Sequence, residues 1–541
     1  MEGLVYLKPN VVIEPLIERW YAWSHLISPA TAAMNVTKRH IEIMNSYLES
    51  PAVHHDAVKD PKMLGGPFMD YDGDRSADVR KLLESTFVNQ KELINLSMAI
   101  RKLVLMLNKE AKGQSMEELY KNVPDILKGY VELVYDLNGN PSFRFYEQLL
   151  YNSKFYNKSN QSLALWVTNN DSRPFCLSTP RLDEKDVLHL DMPFDHQFID
   201  ELSKMKRTPR SYNEIRELAG DLNETESALF ESFFTETPSV PYANYEGDKI
   251  RMRYFGHACI LIETKDVSIL VDPLISYYGY QSSVEHFSDY ELPEKIDYVL
   301  ITHNHQDHIL LETLLPLRHK IKNIIVPRSG GGHLQDPSLK LMFNNIGFNN
   351  IIEIEEFSTI NFSDCKITGI PFTGEHSDLD IKAKLCYHVE IEEFSLLFVA
   401  DSRILEKKLY ENTHRIIGDV DVVFLGMECD GAPLTWLYGP LVVTELSKEH
   451  DQSRRLAGSD FAKGMHLVDV FNPLEVYVYA MGQEPWCEFI SSIKYTDESN
   501  PIIQSNHLIN ECNSRKIITE RLFGEKEILY SKKKADYYSL V

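Results

Sequence analysis

Cysteine is scarce in this 541-residue chain: seven in all, an odd number, and no two in a C-x-x-C pair. That scatter excludes a disulfide scaffold and a thiolate zinc finger, and it suits the reduced, buried thiols of a cytoplasmic protein. Long hydrophobic runs are also missing. No stretch reaches the roughly 18 apolar residues of a membrane span. The opening M-E-G-L-V-Y-L-K-P-N lacks the basic region, apolar core and small-residue cleavage site of a secretory signal. Positive charge is in short supply, with 56 Lys and Arg against 80 Asp and Glu, a net charge of −24. Such a balance repels phosphate backbones, so nucleic acid is an unfavourable partner for the surface as a whole. Neither fixed-period repeats nor low-complexity tracts occur. These absences lead to the expectation of a cytoplasmic globular protein with no membrane and no nucleic-acid partner.

Hydrophobic residues make up 43% of the chain, enough for a large core. The segment 236–249, E-T-P-S-V-P-Y-A-N-Y-E-G-D-K, has two prolines, a glycine and few aliphatic residues, and reads as a connection. It divides an α+β domain, residues 1–240, from a second domain, residues 241–541. In the first, Leu93, Leu96, Ile100, Leu103 and Leu107 follow helical spacing. Phe143 with Phe145, and Leu163, Leu165 and Val167, alternate as on strands, and 213–234 reads as helical again. In the second, strand-like runs such as V-S-I-L-V-D-P and I-D-Y-V-L-I-T alternate with helical stretches, the texture of a layered α/β domain.

Directly after I-D-Y-V-L-I-T comes H-N-H-Q-D-H, which places His303, His305, Asp307 and His308 within six residues. His303 and His305, two apart on a tight extended turn, can face one metal, and Asp307 and His308 can turn toward a second. Mixed imidazole and carboxylate donors suit zinc, iron or manganese, and paired ions about 3.5–4 Å apart are a common catalytic unit.

With this motif, the opening F-G-H-A-C-I-L-I-E-T and the following I-L-V-D-P, the chain resembles the metallo-β-lactamase superfamily over about residues 250–500. The resemblance implies an αββα sandwich with a dinuclear site and Asp272 beneath it. It also implies later ligands. One station is P-F-T-G-E-H-S-D, containing Glu375 and His376, and the next is L-L-F-V-A-D-S, where Asp401 fits the bridging carboxylate. Where hydrolases of this fold place a last histidine, E-V-Y-V-Y-A-M-G-Q-E-P-W has Met481, Gln483 and Glu484. If Glu375 is the ligand, one metal has two imidazoles and a carboxylate, the set expected of oxygen-activating non-haem iron. If His376 binds instead, a pair of zinc ions and hydrolysis of a small ester, thioester or phosphodiester become the better reading.

The length, the large N-terminal domain and the glutamate in place of a ligand histidine resemble one branch, the diiron β-hydroxylases typified by the enzyme of chloramphenicol biosynthesis. That resemblance implies an O₂-dependent diiron monooxygenase that hydroxylates the β-carbon of an amino acid. The amino acid is held as a thioester on a carrier domain of a nonribosomal peptide synthetase. It implies two iron ions held by His303, His305, Asp307, His308, Glu375 and Asp401, and an external electron donor. It further implies an N-terminal domain that forms a homodimer and shapes the site.

Around this core, Glu428 is read as the catalytic carboxylate, orienting a ligand or a bound water, and Trp436 and Tyr438 as the substrate-binding aromatics. His257 and Cys259 alternate on an expected strand, which makes His257 a core histidine. Lys204–Arg210, Arg318–Lys322 and the Arg454–Arg455 pair are basic exceptions to the acidic background and candidates for carrier docking.

Overall fold

Short runs rich in β-branched and aromatic residues, punctuated by turns, build two seven-stranded sheets in the C-terminal half. The computed structural model describes residues 3–170, 172–239, 244–279, 282–362, 365–531 and 533–534. The first sheet runs Ile351–Ile354, Ile321–Pro327, Ile296–Leu300, Ser268–Val271, Ile260–Glu263, Ile250–Tyr254, Lys526–Tyr530. Its first three pairings are parallel and its last three antiparallel. The second runs Thr359–Phe362, Cys365–Pro371, Leu385–Ile391, Phe394–Phe398, Val422–Gly426, Glu475–Tyr479, Ile518–Arg521, with the order of pairing reversed.

Side chains alternate across each strand, so one face of each sheet can bury against the other. Ile260, Ile262, Ile269 and Val271 point inward and meet Ile367, Val389, Leu396 and Phe398. On the far side of the second sheet lie helices Lys407–Ile417, Phe461–Phe471 and Asn500–Ser514. The far side of the first sheet is covered by Leu311–Leu317, Leu339–Asn345 and the N-terminal half. The outcome is the expected αββα sandwich preceded by a large α+β region.

In that region an antiparallel sheet runs Trp20–Tyr21, Val11–Ile17, Gln161–Val167, Leu188–Asp191. Helix Lys91–Glu110 buries Leu96, Ile100, Leu103 and Leu107, as their spacing predicts. The stretch 213–234 divides into two helices, Tyr212–Leu218 and Glu224–Ser232. Gly220, at φ 85°, lies in the break, and an Asn223–Glu226 capping box opens the second helix. One hydrophobic core joins Leu163, Leu165 and Phe198 to Leu261, Leu270 and Val299, so the two halves pack as one body. Part of the expected connection, 240–243, lies outside the described residues. All seven cysteines are free thiols. Among the described residues no helix is long and apolar enough to cross a membrane.

Candidate metal centre

The parallel strands Ser268–Val271 and Ile296–Leu300 end side by side, which sets Asp272 against the start of the histidine loop. Thr302 donates to Asp272 twice, from its backbone N–H (2.8 Å) and from Oγ1 (2.6 Å). Oδ2 of Asp272 also lies 2.8 Å from Nδ1 of His308, leaving Nε2 of that ring 3.1 Å from Oδ2 of Asp401. His303 Nδ1 lies 3.0 Å from Thr302 Oγ1, and His305 Nε2 lies 2.9 Å from the Tyr438 hydroxyl. Each imidazole is thus tied from behind by one ring nitrogen and presents the other to a shared interior.

The two later stations complete the ring of donors. Glu375, in a left-handed turn (φ 60°) after strand Cys365–Pro371, brings Oε1 to 2.8 Å from His305 Nδ1. Its Oε2 lies 2.9 Å from Nδ1 of His376 and 3.9 Å from Nε2 of His303. Asp401 follows strand Phe394–Phe398, with Oδ2 4.0 Å from Nε2 of His303. Burial opposes ionisation of Glu375, yet His305 and His376 hold its carboxyl below the ordinary range. Asp401 is shifted the other way, by burial and by the neighbouring charges of Glu375 and Asp307.

Donor atoms of His303, His305 and Glu375 lie within 4.8 Å of one another, as do those of His303, His308 and Asp401, and those of His257, Asp307 and His308. His303 Nε2 and Asp401 Oδ1 are buried with no hydrogen-bond partner. Each such atom costs about 1–3 kcal/mol. Cations at the centre account for this concentration of unpaired donors, and nitrogen with carboxylate oxygen is a set that iron accepts.

Other positions differ from the sequence expectation. His257 is not on a strand and is not a satisfied core histidine: it sits in the turn before Ile260–Glu263, its ring 5.0 Å from that of His308. The alternation with Cys259 hid this, because a left-handed turn residue (φ 49°) leaves no mark in a hydrophobicity pattern. Tyr438 is absent from the cavity wall; it is fully buried behind His305 and bonds to it. Trp436 does line the cavity over the cluster, a space of about 350 Å³ shared with Glu428, Lys62 and Met481. Its indole N–H donates to Gly65 O (2.8 Å), which ties the N-terminal half to the wall. The sequence offers no signal for Lys62 and Gly65, whose contribution is one of position. Glu428 faces the same space, its carboxyl pushed up to about 7 by burial.

The runs 204–210 and 318–322 converge on one cleft lined by Lys204, Lys206, Arg207, His319 and Lys320. Lys320 O accepts from Ile296 N, at the opposite end of strand Ile296–Leu300 from the metal loop. Arg455 alone of the flagged basic residues borders the metal cavity.

Residues 6–238 match the family described as the diiron non-heme beta-hydroxylase N-terminal domain, and residues 251–440 match a beta-lactamase superfamily domain. The chain is 36% identical over 525 residues to the 4-amino-L-phenylalanyl-[CmlP-peptidyl-carrier-protein] 3-hydroxylase of Streptomyces venezuelae, covering 95% of this chain and 98% of that protein. Among solved structures, the crystal structure of CmlA, a diiron beta-hydroxylase from Streptomyces venezuelae, superposes with a TM-score of 0.91 at 34% identity, over 98% of this chain and 100% of that one. A glutamate-to-aspartate variant of CmlA beta-hydroxylase gives 0.89 at 33% identity, over 97% and 99%.

Proposed function

The chain belongs to the diiron non-heme beta-hydroxylase family, and from that premise we propose that it hydroxylates the β-carbon of an amino acid tethered as a thioester to a carrier domain of a nonribosomal peptide synthetase. The observation that carries this reading is Glu375, a carboxylate 2.8 Å from His305 at a station where an imidazole would favour hydrolysis. His303, His305 and Glu375 would hold one iron and Asp307 and His308 the other, with Asp401 between them. The chemistry such a pair supplies when bound is the activation of O₂, which no side chain here can perform.

The reaction balances as R–H + O₂ + two electrons + two protons giving R–OH + water. The substrate bond supplies two of the four electrons, so an external reductase supplies the rest. Trp436 offers a flat wall against which an amino-acid side chain can be oriented. Glu428, whose carboxyl burial pushes up, stands at the edge of the cavity where it can take up or release a proton. Lys62 and Arg455 line the same space and complement an acidic carrier and the phosphate of its arm. The region 1–240 shapes the site through Lys62, Leu64 and Gly65. It also exposes Phe87, Met98 and Leu105 on its helices, which supports a homodimer through that region. Residues 241–541 form the metal domain, and the enzyme works beside its synthetase in the cytoplasm.

Iron analysis and turnover test this together. The purified protein is supplied with a 4-aminophenylalanyl carrier domain, O₂ and a chemical reductant. Two irons per chain and β-hydroxylated product are expected. Stoichiometric zinc, esterase activity and no oxygen uptake would overturn the reading in favour of the zinc hydrolase. In the same assay Glu375→Ala should lose iron while His376→Ala retains it; the reverse result would make His376 the ligand.

A further inference from the structure

Three of the four donors in the histidine loop have a partner that fixes their orientation: Thr302 for His303, Tyr438 for His305 and Asp272 for His308. Asp307 is the fourth. Among the described residues the one side chain at ion-pair distance from its carboxylate is His257, whose Nε2 lies 3.3 Å from Oδ2.

The placement of His257 is costly and well braced. Its backbone is left-handed at φ 49°, a conformation that costs a residue with a side chain about 1 kcal/mol or more. The turn is held by Cys259 N donating to Gly256 O (3.0 Å) and Ala480 N donating to His257 O (2.8 Å). Trp486 closes it from outside: a Cβ on Gly256 would stand 2.8 Å from the indole. The imidazole is 2% exposed, and apart from the approach of Nε2 to Asp307 its ring nitrogens meet no hydrogen-bond partner among the described residues. A histidine serving only the core would be satisfied by its neighbours. This one is aimed at a carboxylate on the rim of the metal centre.

We propose that His257 is a positioning residue of the dinuclear centre: its Nε2–H engages Oδ2 of Asp307 and directs the other carboxylate oxygen toward the second metal. The inference rests on the reading of the cluster as a dinuclear centre. A ring nitrogen that donates to Asp307 has no lone pair left for a metal, so His257 acts through Asp307. Partners of this kind are typically worth about 10–100-fold in metal affinity.

The test is anaerobic titration of the full chain with ferrous iron, followed by competition with a chelator. Wild type, His257→Ala and His257→Gln are compared, with circular dichroism and urea unfolding as checks on the fold. In His257→Ala one iron should bind about 10–100-fold more weakly while the other is unchanged. His257→Gln, whose amide N–H can replace Nε2–H, should stay close to wild type. An alanine variant that holds both irons as tightly as wild type overturns the proposal. So does a glutamine variant that loses iron as completely as alanine, because the imidazole would then be a ligand itself. A wild type that takes up fewer than two ions overturns the reading of the centre, and this inference with it.

Discussion

Glu428 shows how far a single residue depends on where the fold puts it. A glutamate in water ionises near 4.5, whereas burial, with Asp430 and Asp401 adding to it, pushes this carboxyl up to about 7. Its Oε2 accepts a hydrogen bond from Gly431 N (2.6 Å), which keeps the side chain against the cavity wall. A carboxyl whose folded value exceeds its unfolded value takes up a proton on folding, so stability falls as pH rises from about 4.5 through about 7. The metal-free Glu428→Gln variant has no such charge to bury. It should match wild type in thermal unfolding at pH 4 and exceed it at pH 8, by up to about 3 kcal/mol. An equal difference at both pH values would show that Glu428 is not held in this way. At this scale the sequence was most legible where chemistry is contiguous. His303, His305, Asp307 and His308 lie in one loop, and their types announce a metal. The surroundings of His257 and Tyr438 were not legible, because the side chains they stand against, Asp307 and His305, lie 50 and 133 positions away.

Strand ends do the placing at the next scale. Asp272 and Asp401 both stand just past the C-terminal end of a strand, and adjacent parallel pairing lines those ends up on one edge. The neighbouring strand Val422–Gly426 closes with a glycine for a steric reason. A Cβ at Gly426 would lie 2.8 Å from Asp401 Oδ1 and would also press on the Ala400 carbonyl. Gly426→Ala should therefore cost about 1–3 kcal/mol by overpacking and displace Asp401. Calorimetry should show the destabilisation, and metal analysis should show reduced iron content. Undiminished iron in a folded Gly426→Ala protein would mean that Asp401 has more freedom than the packing indicates. The strands themselves were readable from their apolar runs. Their order was not, since the chain crosses between two sheets and period-two alternation carries no record of the neighbour.

Across the whole molecule, a buried charge network binds the N-terminal sheet to the helix that follows the metal loop. Arg173 Nη1 donates to Glu14 (3.2 Å) on strand Val11–Ile17 and to Glu312 (2.9 Å) on helix Leu311–Leu317. Arg181 also engages Glu14 (3.0 Å), and the hydroxyls of Tyr21 (3.2 Å) and Tyr277 (2.7 Å) donate to Glu312. Removing one partner from a buried set leaves charge uncompensated, at a cost of about 3–5 kcal/mol. Arg173→Ala should therefore lower the urea midpoint by the equivalent of about 3 kcal/mol, with Arg173→Lys losing less. A midpoint equal to wild type would place the strength of this junction in its apolar core alone. The composition shift near 240 marks a change of texture, yet the core is continuous across it.

By itself the sequence determined the donor types, the loop that carries most of them and the class of fold, because spacing and hydrophobic period act locally along the chain. The tertiary structure decided what stands behind each donor: Asp272 under His308, Tyr438 behind His305, His257 beside Asp307. It also decided that Lys62 and Gly65, from the far half of the chain, wall the cavity, and that the two basic runs meet at the opposite sheet end from the metals. The physical reason is one of range. Donor chemistry belongs to a residue, whereas orientation, burial and the shift of a carboxyl's pKa are set by neighbours that only folding brings within a few ångströms.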